Sequence, residues 1–389
     1  MDTKRVGHGD YERFENDIRK YFKERTDKLQ IIKTTKTRSG KKIDWVPMES
    51  QGHLATPPPE PSQPQMSTPL QFELDEEGVE KGPEGTVPIP RKDLDAISFN
   101  RPLEAYLSKT RGSRRGMSHL LGPEADSTPA PQDTSAHRYG SSQQAVTCYG
   151  GQGNLSYWDP SLEAAGDFSL LQIGMINANS QQHVQTVEAG WQVYQELHGD
   201  YAPHLFTYYT TNGYSQQGNN LGGYDTDVGG WVQYDSTIFP GTTFSPTSII
   251  GGTQSALPIK YQLFQGNWWL SCTGRWIGYY PAALFTPGGS LGDHADHIGF
   301  WGEVFDSDEV PGRTKTDMGS GRFPSEGWTN AAYLSNLKYQ ADAAATNLPN
   351  YDGSAGLVQE DTDMYRIEPH FQDTGEWGSY AWVGGPGTG

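Results

Sequence analysis

The segment VEAGWQVYQELHGDYAPHLFTYYTTNGY, residues Val187–Tyr214, decides the fold. In its first part Val187, Ala189 and Trp191 recur at every second position, and Glu188 lies in the opposite set. Side chains of a β-strand point alternately to its two faces, so this spacing predicts a strand with one apolar face. A Gly-Asp pair and a proline interrupt the pattern before a second aromatic run. We therefore expect two consecutive strands joined by a short connection.

The same pattern of short apolar runs separated by turn-forming residues continues on both sides of this segment. Short apolar and aromatic runs, broken by Gly, Asn, Asp or Pro, include FSLLQIGMI, IKYQLFQGNWWLSC, RWIGYYP and HIGFWGEVF. Most of the 11 Trp and 21 Tyr residues lie in such runs, and both residue types suit half-buried strands. Long helical periodicity is absent from this part of the chain. The pattern predicts an all-β fold, an antiparallel β-sandwich of the lectin or jelly-roll type.

The N-terminal part has a different pattern. Apolar residues within Asp10–Leu29 recur at three- and four-residue steps, which predicts an amphipathic helix. Ile31–Val46 alternates around a central Ser-Gly pair, which predicts a β-hairpin. Glu49–Pro90 and Gly122–Gly140 are rich in Pro, Gln, Glu and small residues, so we expect linkers that bury little surface.

Charge divides the chain at the same place. Residues 1–140 contain 22 basic and 22 acidic side chains, whereas residues 141–389 contain seven basic and 25 acidic ones, which accounts for the whole net charge of -18. We therefore expect a small α+β domain over 1–140 and the β-sandwich domain over 141–389. The sandwich has too few Lys and Arg side chains to neutralise a phosphate backbone, so nucleic acid is excluded as a partner. An acidic surface is compatible with work in acid, and equally with simple solubility.

Cysteine content and hydropathy exclude further classes. Cys148 and Cys272 are the only cysteines, so a four-cysteine metal site cannot form, while a single disulfide between them stays open. No run of 18 apolar residues is present, and the mean hydropathy is -0.69, so we expect no membrane partner. The first 28 residues are polar and charged and do not resemble a secretion signal.

Several blocks carry a specific resemblance. The segment Val187–Tyr214 resembles the signature strand pair of the plant neprosin family of glutamic peptidases. Further blocks agree in the same order: GNWWL at Gly266–Leu270, IGYYPAALF at Ile277–Phe285, WGEVF at Trp301–Phe305, TDMGSGRFPSEGWTNAAYLSNLKY at Thr316–Tyr339 and the tail VGGPGTG. Upstream, KTTKTRSGKKIDWVPMESQ at Lys33–Gln51 resembles the activation peptide of the family.

The resemblance implies a catalytic pair of glutamates at Glu188 and Glu303. In such a pair one carboxylate takes a proton from water while the other, protonated, assists the scissile carbonyl and the leaving nitrogen. Two neighbouring carboxyl groups share a proton only in acid, so the activity is expected at acidic pH, without metal or cofactor. The sequence does not say which glutamate is the base.

The resemblance also implies a wider set of expectations. Substrate-binding candidates are Trp191, Gln192, Tyr208 and Tyr209, although adjacent residues of a strand face opposite ways, so at most one of the two tyrosines reaches the site. The expected partners are proline-rich protein or peptide substrates, cleaved after proline, and the chain's own N-terminal domain as an intramolecular inhibitor. Pro123, Pro129 and Pro131 are candidate self-cleavage sites. A secreted monomer is expected.

The sequence departs from the plant pattern in three places. Trp301 stands where the family usually has glycine, close to the second glutamate. Residues Gly218–Gly230 lack the cysteines of the plant loop, and Trp45 stands where the plant activation peptide usually has cysteine. These differences indicate a fungal or bacterial relative.

Three other interpretations compete with a peptidase. Two carboxylates on an aromatic sandwich also suit a glycosidase, and many Trp and Tyr residues suit a non-catalytic carbohydrate-binding module. Without the resemblance, Glu188 and Glu303 read as side chains of a solvated sheet face. The His-x-x-His spacing within Asp293–His297 suits a metal site on a helix, but the family needs no metal there.

Overall fold

The structure is a computed structural model that describes most of the chain. The described residues are 8–61, 68–109, 137–178, 184–285, 290–307, 314–345, 347–359, 361–372 and 374–388. Strands contain 39% of the residues and helices 12%, which confirms the all-β class. The candidate cleavage sites Pro123, Pro129 and Pro131 lie outside the described residues.

Seven antiparallel strands form one large sheet, here called the front sheet. In spatial order they are β10 (Gly222–Tyr224), β9 (His204–Thr210), β8 (Gln185–Val193), β7 (Phe168–Asn177), β16 (Ala295–Phe305), β5 (His137–Cys148) and β18 (Gly356–Gln359). The strand pair predicted from Val187–Tyr214 is β8 and β9, joined through the short helix α3 (Gln195–His198).

Eight antiparallel strands form the second large sheet, here called the back sheet. In spatial order they are β11 (Val232–Gln233), β15 (Arg275–Pro281), β14 (Asn267–Cys272), β13 (Ala256–Phe264), β6 (Gly150–Ser156), β17 (Ala332–Tyr339), β20 (Tyr380–Gly384) and β19 (Arg366–His370). Short 3₁₀-helices follow β15, at Ala282–Phe285, and precede β17, at Pro324–Glu326.

The two large sheets enclose one apolar core. Trp191 of the front sheet donates its indole N–H to the carbonyl of Ser156 in the back sheet, and Tyr261 donates in return to the carbonyl of Glu188. Cys148 and Cys272 are buried at this core and both are free thiols, which answers the question of a disulfide. An antiparallel β-sandwich is therefore the observed architecture, as predicted.

The N-terminal part folds as predicted in its helix and hairpin. Helix α1 covers His8–Asp27, and strands β1 (Lys33–Lys36) and β2 (Lys42–Pro47) form the hairpin. A third strand, β4 (Thr86–Pro90), pairs with β2. The remaining elements are β3 (Gln71–Phe72), which pairs with β12 (Phe244–Ser245), α2 (Leu103–Tyr106), and 3₁₀-helices at Met48–Gln51 and Glu73–Asp75.

The segment Glu49–Pro90 is not the unpacked linker that its composition predicts. Leu74 and Val87 are fully buried, and Pro58 is buried as well. The prediction that this segment buries little is therefore wrong. Its prolines and glutamates indicate a chain with little apolar surface of its own, but the segment packs against aromatic surfaces that the sandwich supplies.

The N-terminal part holds the sandwich through ion pairs between its bases and the acids of the sandwich. Lys92 Nζ lies 2.7 Å from Asp227 Oδ2, and Arg101 Nη1 lies 2.6 Å from Glu196 Oε2. All four side chains are largely buried. The basic side chains of the N-terminal part thus form ion pairs with the excess acidic side chains of the sandwich at their interface. The first strand of the front sheet begins at His137, close to the predicted domain boundary at residue 140, which stays a prediction.

Two classes of site receive no support from the described residues. Within them, no helix is long and apolar enough to cross a bilayer, and no group of His, Cys, Asp and Glu side chains is arranged to hold a metal ion. His297 contacts Asp296 at 2.7 Å, and both lie on β16, so the His-x-x-His spacing does not lie on a helix.

Candidate active site

Glu188 and Glu303 lie on the outer face of the front sheet, which faces away from the sandwich core. They belong to β8 and β16, the two neighbours of β7. The register places Gly174 of β7 opposite Glu188, and Leu170 opposite Glu303. Their carboxylates are 0% and 1% exposed. A pair of buried carboxylates needs donors and counter-charge, because burial without them costs several kcal/mol.

Gln172 fills the space between the two glutamates. It lies midway between Gly174 and Leu170 on β7, and its side chain points to the same face. Gln172 Nε2 donates to Glu188 Oε2 at 2.8 Å. The amide therefore fixes the orientation of one carboxylate from the middle of the site.

Two hydroxyl groups donate to the other oxygen of Glu188. Thr186 Oγ1 lies 2.8 Å from Glu188 Oε1, and Tyr214 Oη lies 2.5 Å from the same atom. Burial, and then the charge of Glu188, raise the pKa of Tyr214 well above its ordinary value, so its hydroxyl stays protonated and able to donate. The three neutral donors Thr186, Tyr214 and Gln172 thus all stabilise the ionised form of Glu188.

Glu303 has a different environment. Its Oε1 lies 2.7 Å from Nδ1 of His137, the first residue of β5, and both side chains are 1% exposed. His137 also packs against Phe305, with ring centroids 4.8 Å apart. The two glutamates therefore differ in their contacts. Glu188 accepts hydrogen bonds from hydroxyl and amide groups, whereas Glu303 contacts an imidazole.

Lys109 of the N-terminal part joins the two carboxylates. Its ammonium lies 2.7 Å from Glu188 Oε2 and 3.0 Å from Glu303 Oε2, and it donates to Gln172 Oε1 at 3.0 Å. The side chain is only 5% exposed. One nitrogen thus occupies the position from which a small group contacts both carboxylates.

This contact sets the charge state of the site. Burial alone would raise the pKa of Glu188. The charge of Lys109 and the hydrogen bonds from Lys109, Tyr214 and Gln172 instead lower it below its ordinary value. Burial alone would lower the pKa of Lys109. The charges and hydrogen bonds of the two glutamates outweigh this effect, so the pKa of the ammonium is raised. The contact therefore favours the ionised form of Glu188 and the protonated form of Lys109.

Aromatic and polar side chains form the walls of the site. Gln192 and Tyr208 lie on the face of Glu188, and Tyr208 is directly opposite it on β9. Gln192 Nε2 donates to Tyr224 Oη at 3.3 Å. The rings of Trp301 and Phe206 lie on either side of Lys109, each with its centroid 5.9 Å from the ammonium.

Trp191 and Tyr209, the other two predicted substrate-binding residues, do not lie on this face. The alternation of β8 and β9 turns both into the core between the sheets. Tyr209 donates to the carbonyl of Gly229, and both side chains are fully buried. Their assignment to substrate binding is corrected to core packing, which agrees with the expectation that only one of the two tyrosines reaches the site.

Five side chains of the site were not predicted. Two of them left a signal in the sequence: Gln172 is the polar residue inside FSLLQIGMI, and Thr186 precedes Glu188 by two residues and so shares its face. Tyr214 ends the signature block, but reaches Glu188 through a turn with φ of 59° at Tyr214 itself. His137 and Lys109 left no pattern, because their partners are distant in sequence.

The departure at Trp301 is accommodated by small neighbours. A Cβ atom on Gly174 would lie 2.4 Å from Cη2 of Trp301, and one on Gly299 would lie 2.8 Å from its Cζ3. The indole therefore rests on two glycines of adjacent strands. It forms part of the wall beside both glutamates.

One family model and several solved structures are similar to this chain. A family model described as Neprosin matches residues 165–386. Scytalido-glutamic peptidase, solved with a peptide-based transition state analog, is similar at 8% identity over 64% of this chain and 98% of that chain, with a TM-score of 0.34. SCP-B of the eqolisin peptidase family, in complex with the tripeptide Ala-Ile-His, is similar at 8% identity over 64% and 98%, with a TM-score of 0.31. Structural likeness at these scores carries no weight for the activity.

The packing of Trp301 predicts a non-additive pair of substitutions. Gly174→Ala is expected to lower the free energy of unfolding by about 2 kcal/mol, because its methyl group overlaps the indole. In a Trp301→Gly background the same substitution is expected to cost nearly nothing, as measured by urea unfolding of all four chains.

Gly190→Ala is the matched control. Its Cβ would lie 1.9 Å from the backbone oxygen of Leu171, which Trp301→Gly does not move. Equal costs of Gly174→Ala in both backgrounds would show that Trp301 is not seated on Gly174.

Proposed function

This chain belongs to the neprosin family of glutamic peptidases, and from that premise we propose that it is an acid-active endopeptidase that cleaves after proline, with Glu188 and Glu303 as its catalytic pair. The observation that carries the proposal is the contact of both buried carboxylates with one small cationic group. A water molecule in place of that ammonium would contact both glutamates, as hydrolysis by a carboxylate pair requires.

The different surroundings of the glutamates suggest how they divide the chemistry. Once Lys109 is withdrawn, the three neutral donors to Glu188 still favour its ionised form. Glu188 then takes a proton from water as the water oxygen attacks the scissile carbonyl carbon. Glu303 in its protonated form donates to the carbonyl oxygen, and a proton passes to the leaving nitrogen as the C–N bond breaks. Acid is needed because one of two close carboxyl groups must hold a proton.

The same contact supports a self-inhibited proenzyme. Lys109 occupies the position proposed for the water and places its charge within 3.0 Å of both carboxylates. Because the pKa of Glu188 is lowered in the folded chain, this ion pair stabilises the closed state above the ordinary carboxyl pKa and is lost as the pH falls through the lowered value. The ammonium, whose pKa is raised, stays charged throughout this window. Acid therefore weakens the inhibitory contact, and we propose an acidic extracellular setting for activation.

The first prediction concerns the catalytic pair. Glu188→Gln and Glu303→Gln are each expected to lower kcat/KM on a proline-containing peptide by roughly 10²–10⁴-fold, because each removes a proton-transfer group. Cleavage is measured by mass spectrometry from about pH 3 to pH 7, on peptides with and without proline and on a glycan panel.

Glu326→Gln is the control, since Glu326 is an exposed surface carboxylate. Full activity of either dyad variant would refute the pair. Turnover of glycans instead of peptides would favour a two-carboxylate glycosidase, and glycan binding without turnover would favour a carbohydrate-binding module.

The second prediction concerns the base. Tyr214→Phe removes a donor to ionised Glu188 and is expected to raise the pKa of that carboxyl, so the acidic limb of the kcat/KM profile moves up by about one pH unit. Tyr209→Phe removes a hydroxyl on the opposite face and is expected to leave this limb in place. A pH profile of Tyr214→Phe that coincides with that of the parent would assign the basic role to another group.

The third prediction concerns the inhibitory lysine. Lys109→Met keeps the length of the side chain without its charge, so the intact chain is expected to convert to a shorter form at a higher pH than the parent does. Conversion is followed by gel electrophoresis and by sequencing the new N-terminus after incubation at a series of pH values.

Lys92→Met is the matched control, because Lys92 is also a buried lysine of the N-terminal part paired with a sandwich carboxylate, Asp227. The same conversion profile for both variants would show that Lys109 has no special role. Conversion of a Lys109→Met chain that also carries Glu188→Gln would show that another peptidase performs the cut.

A further inference from the structure

An aromatic cluster lies on the outer face of the back sheet, on the side of the sandwich opposite to the glutamates. Trp269, Trp276 and Tyr279 form it; we call these three residues the aromatic shelf. The centroids of Trp269 and Tyr279 are 4.5 Å apart, and those of Trp269 and Trp276 are 6.3 Å apart. Other positions on this outer face, such as Gln152 and Ser271, carry polar side chains, although both are buried in the intact chain.

A proline-rich segment of the N-terminal part covers the shelf. Ala55 packs against this cluster, and after Thr56 come the prolines Pro57–Pro59. Trp276 donates its indole N–H to the carbonyl of Pro59 at 3.0 Å. The Tyr279 hydroxyl accepts from the backbone N–H of Ala55 at 3.1 Å and lies 3.4 Å from the carbonyl of His53, to which it donates.

The chemistry of these contacts is that of polyproline recognition. Proline fixes its own φ and disfavours the helical conformation in the residue before it, so three prolines in a row favour the extended polyproline II form. That form has no internal hydrogen bonds, and its carbonyls are open to donors on an aromatic surface. Trp276 supplies such a donor to Pro59, and the rings supply an apolar surface, against which Ala55 packs.

We propose that the aromatic shelf is a second substrate-binding site, which takes extended proline-rich polypeptide segments once Ala55–Pro59 has left it. The inference rests on the proposed function in one respect: removal of the N-terminal part is what frees the shelf. In the intact chain the segment is its own ligand, held at high effective concentration by the covalent connection. In the processed enzyme the shelf tethers a long proline-rich substrate whose other part enters the site of Glu188 and Glu303.

A binding experiment tests the shelf independently of catalysis. The full chain carries Glu188→Gln, to prevent cleavage, and Pro57→Gly, Pro58→Gly and Pro59→Gly, to weaken the internal ligand. The probe is a fluorescent peptide of sequence HLATPPPEP, and the reference is HLATGGGEP. We expect the proline probe to bind this opened chain at least about tenfold more tightly than it binds the chain with its prolines intact.

The role of the shelf residues is read from two matched variants. Trp276→Phe keeps an aromatic ring but loses the donor, and is expected to weaken probe binding about fivefold. Trp328→Phe, a change at an exposed tryptophan outside the shelf, is expected to leave binding unchanged. Equal binding of the two peptides, equal effects of the two variants, or no binding to a chain that thermal unfolding shows to be folded would each overturn the proposal.

A kinetic measurement covers the case in which the opened chain does not fold. In otherwise native protein converted in acid, Trp276→Phe is expected to raise KM for a long proline-rich polypeptide and to leave kcat and KM for a short proline peptide unchanged. Equal KM values for the long substrate would refute the tethering role. Failure of the catalytic pair would instead appear as activity of Glu188→Gln, so the two failures are distinguishable.

Discussion

The ammonium of Lys109 between two buried carboxylates is the interaction on which the rest of the intact structure depends. Glu188 and Glu303 lie under aromatic walls, where neither charge is supported by bulk water. A single cation within hydrogen-bonding distance of both replaces that lost solvation. The geometry proposed to hold water between the glutamates is the same geometry that binds the lysine, so the proposed inhibition requires no distortion of the glutamates.

The contact of Lys109 with the glutamates, proposed above as inhibitory, needs a scaffold, because a lone lysine gains little from binding if its backbone is free to leave. The N-terminal part provides this by holding both faces of the sandwich: α2 leads directly to Lys109 on the front sheet, while Ala55 and Pro59 lie on the back sheet. Between them, Lys92 and Arg101 pair with acids of the sandwich. Buried pairs of this kind define position more than they add stability, since desolvation offsets much of their attraction.

The alternation of residues along a single strand predicted which of its side chains lie on the face of the site. The alternation of β8 placed Glu188 and Gln192 on one face, and the structure agrees. The resemblance assigned Trp191 and Tyr209 to the site. The alternation of side chains along their strands instead places both in the core. Lys109 could not be predicted, since its partners follow it by 63 residues or more and long-range contacts leave no periodic signal. The prediction for the proline-rich segment was wrong because composition indicates only how much apolar surface a segment can bury by itself. It does not indicate whether the segment packs against an aromatic surface elsewhere in the chain.

In the proposed mechanism acid acts at two steps, and the pKa of Glu188 shifts in opposite directions at them: Lys109 lowers it in the closed state, and removal of Lys109 lets it rise. With Lys109 in place, the cation lowers the pKa of Glu188 and favours its ionised form. Once the cation leaves, two close carboxylates repel one another, and the first proton to bind is held more tightly than by an isolated glutamate. Release of the lysine therefore shifts the site from a state that resists protonation to one that favours a single shared proton. In the proposed mechanism the proton that weakens the closed state and the proton that the general acid carries both bind to this carboxyl pair, so acid favours opening and activity together.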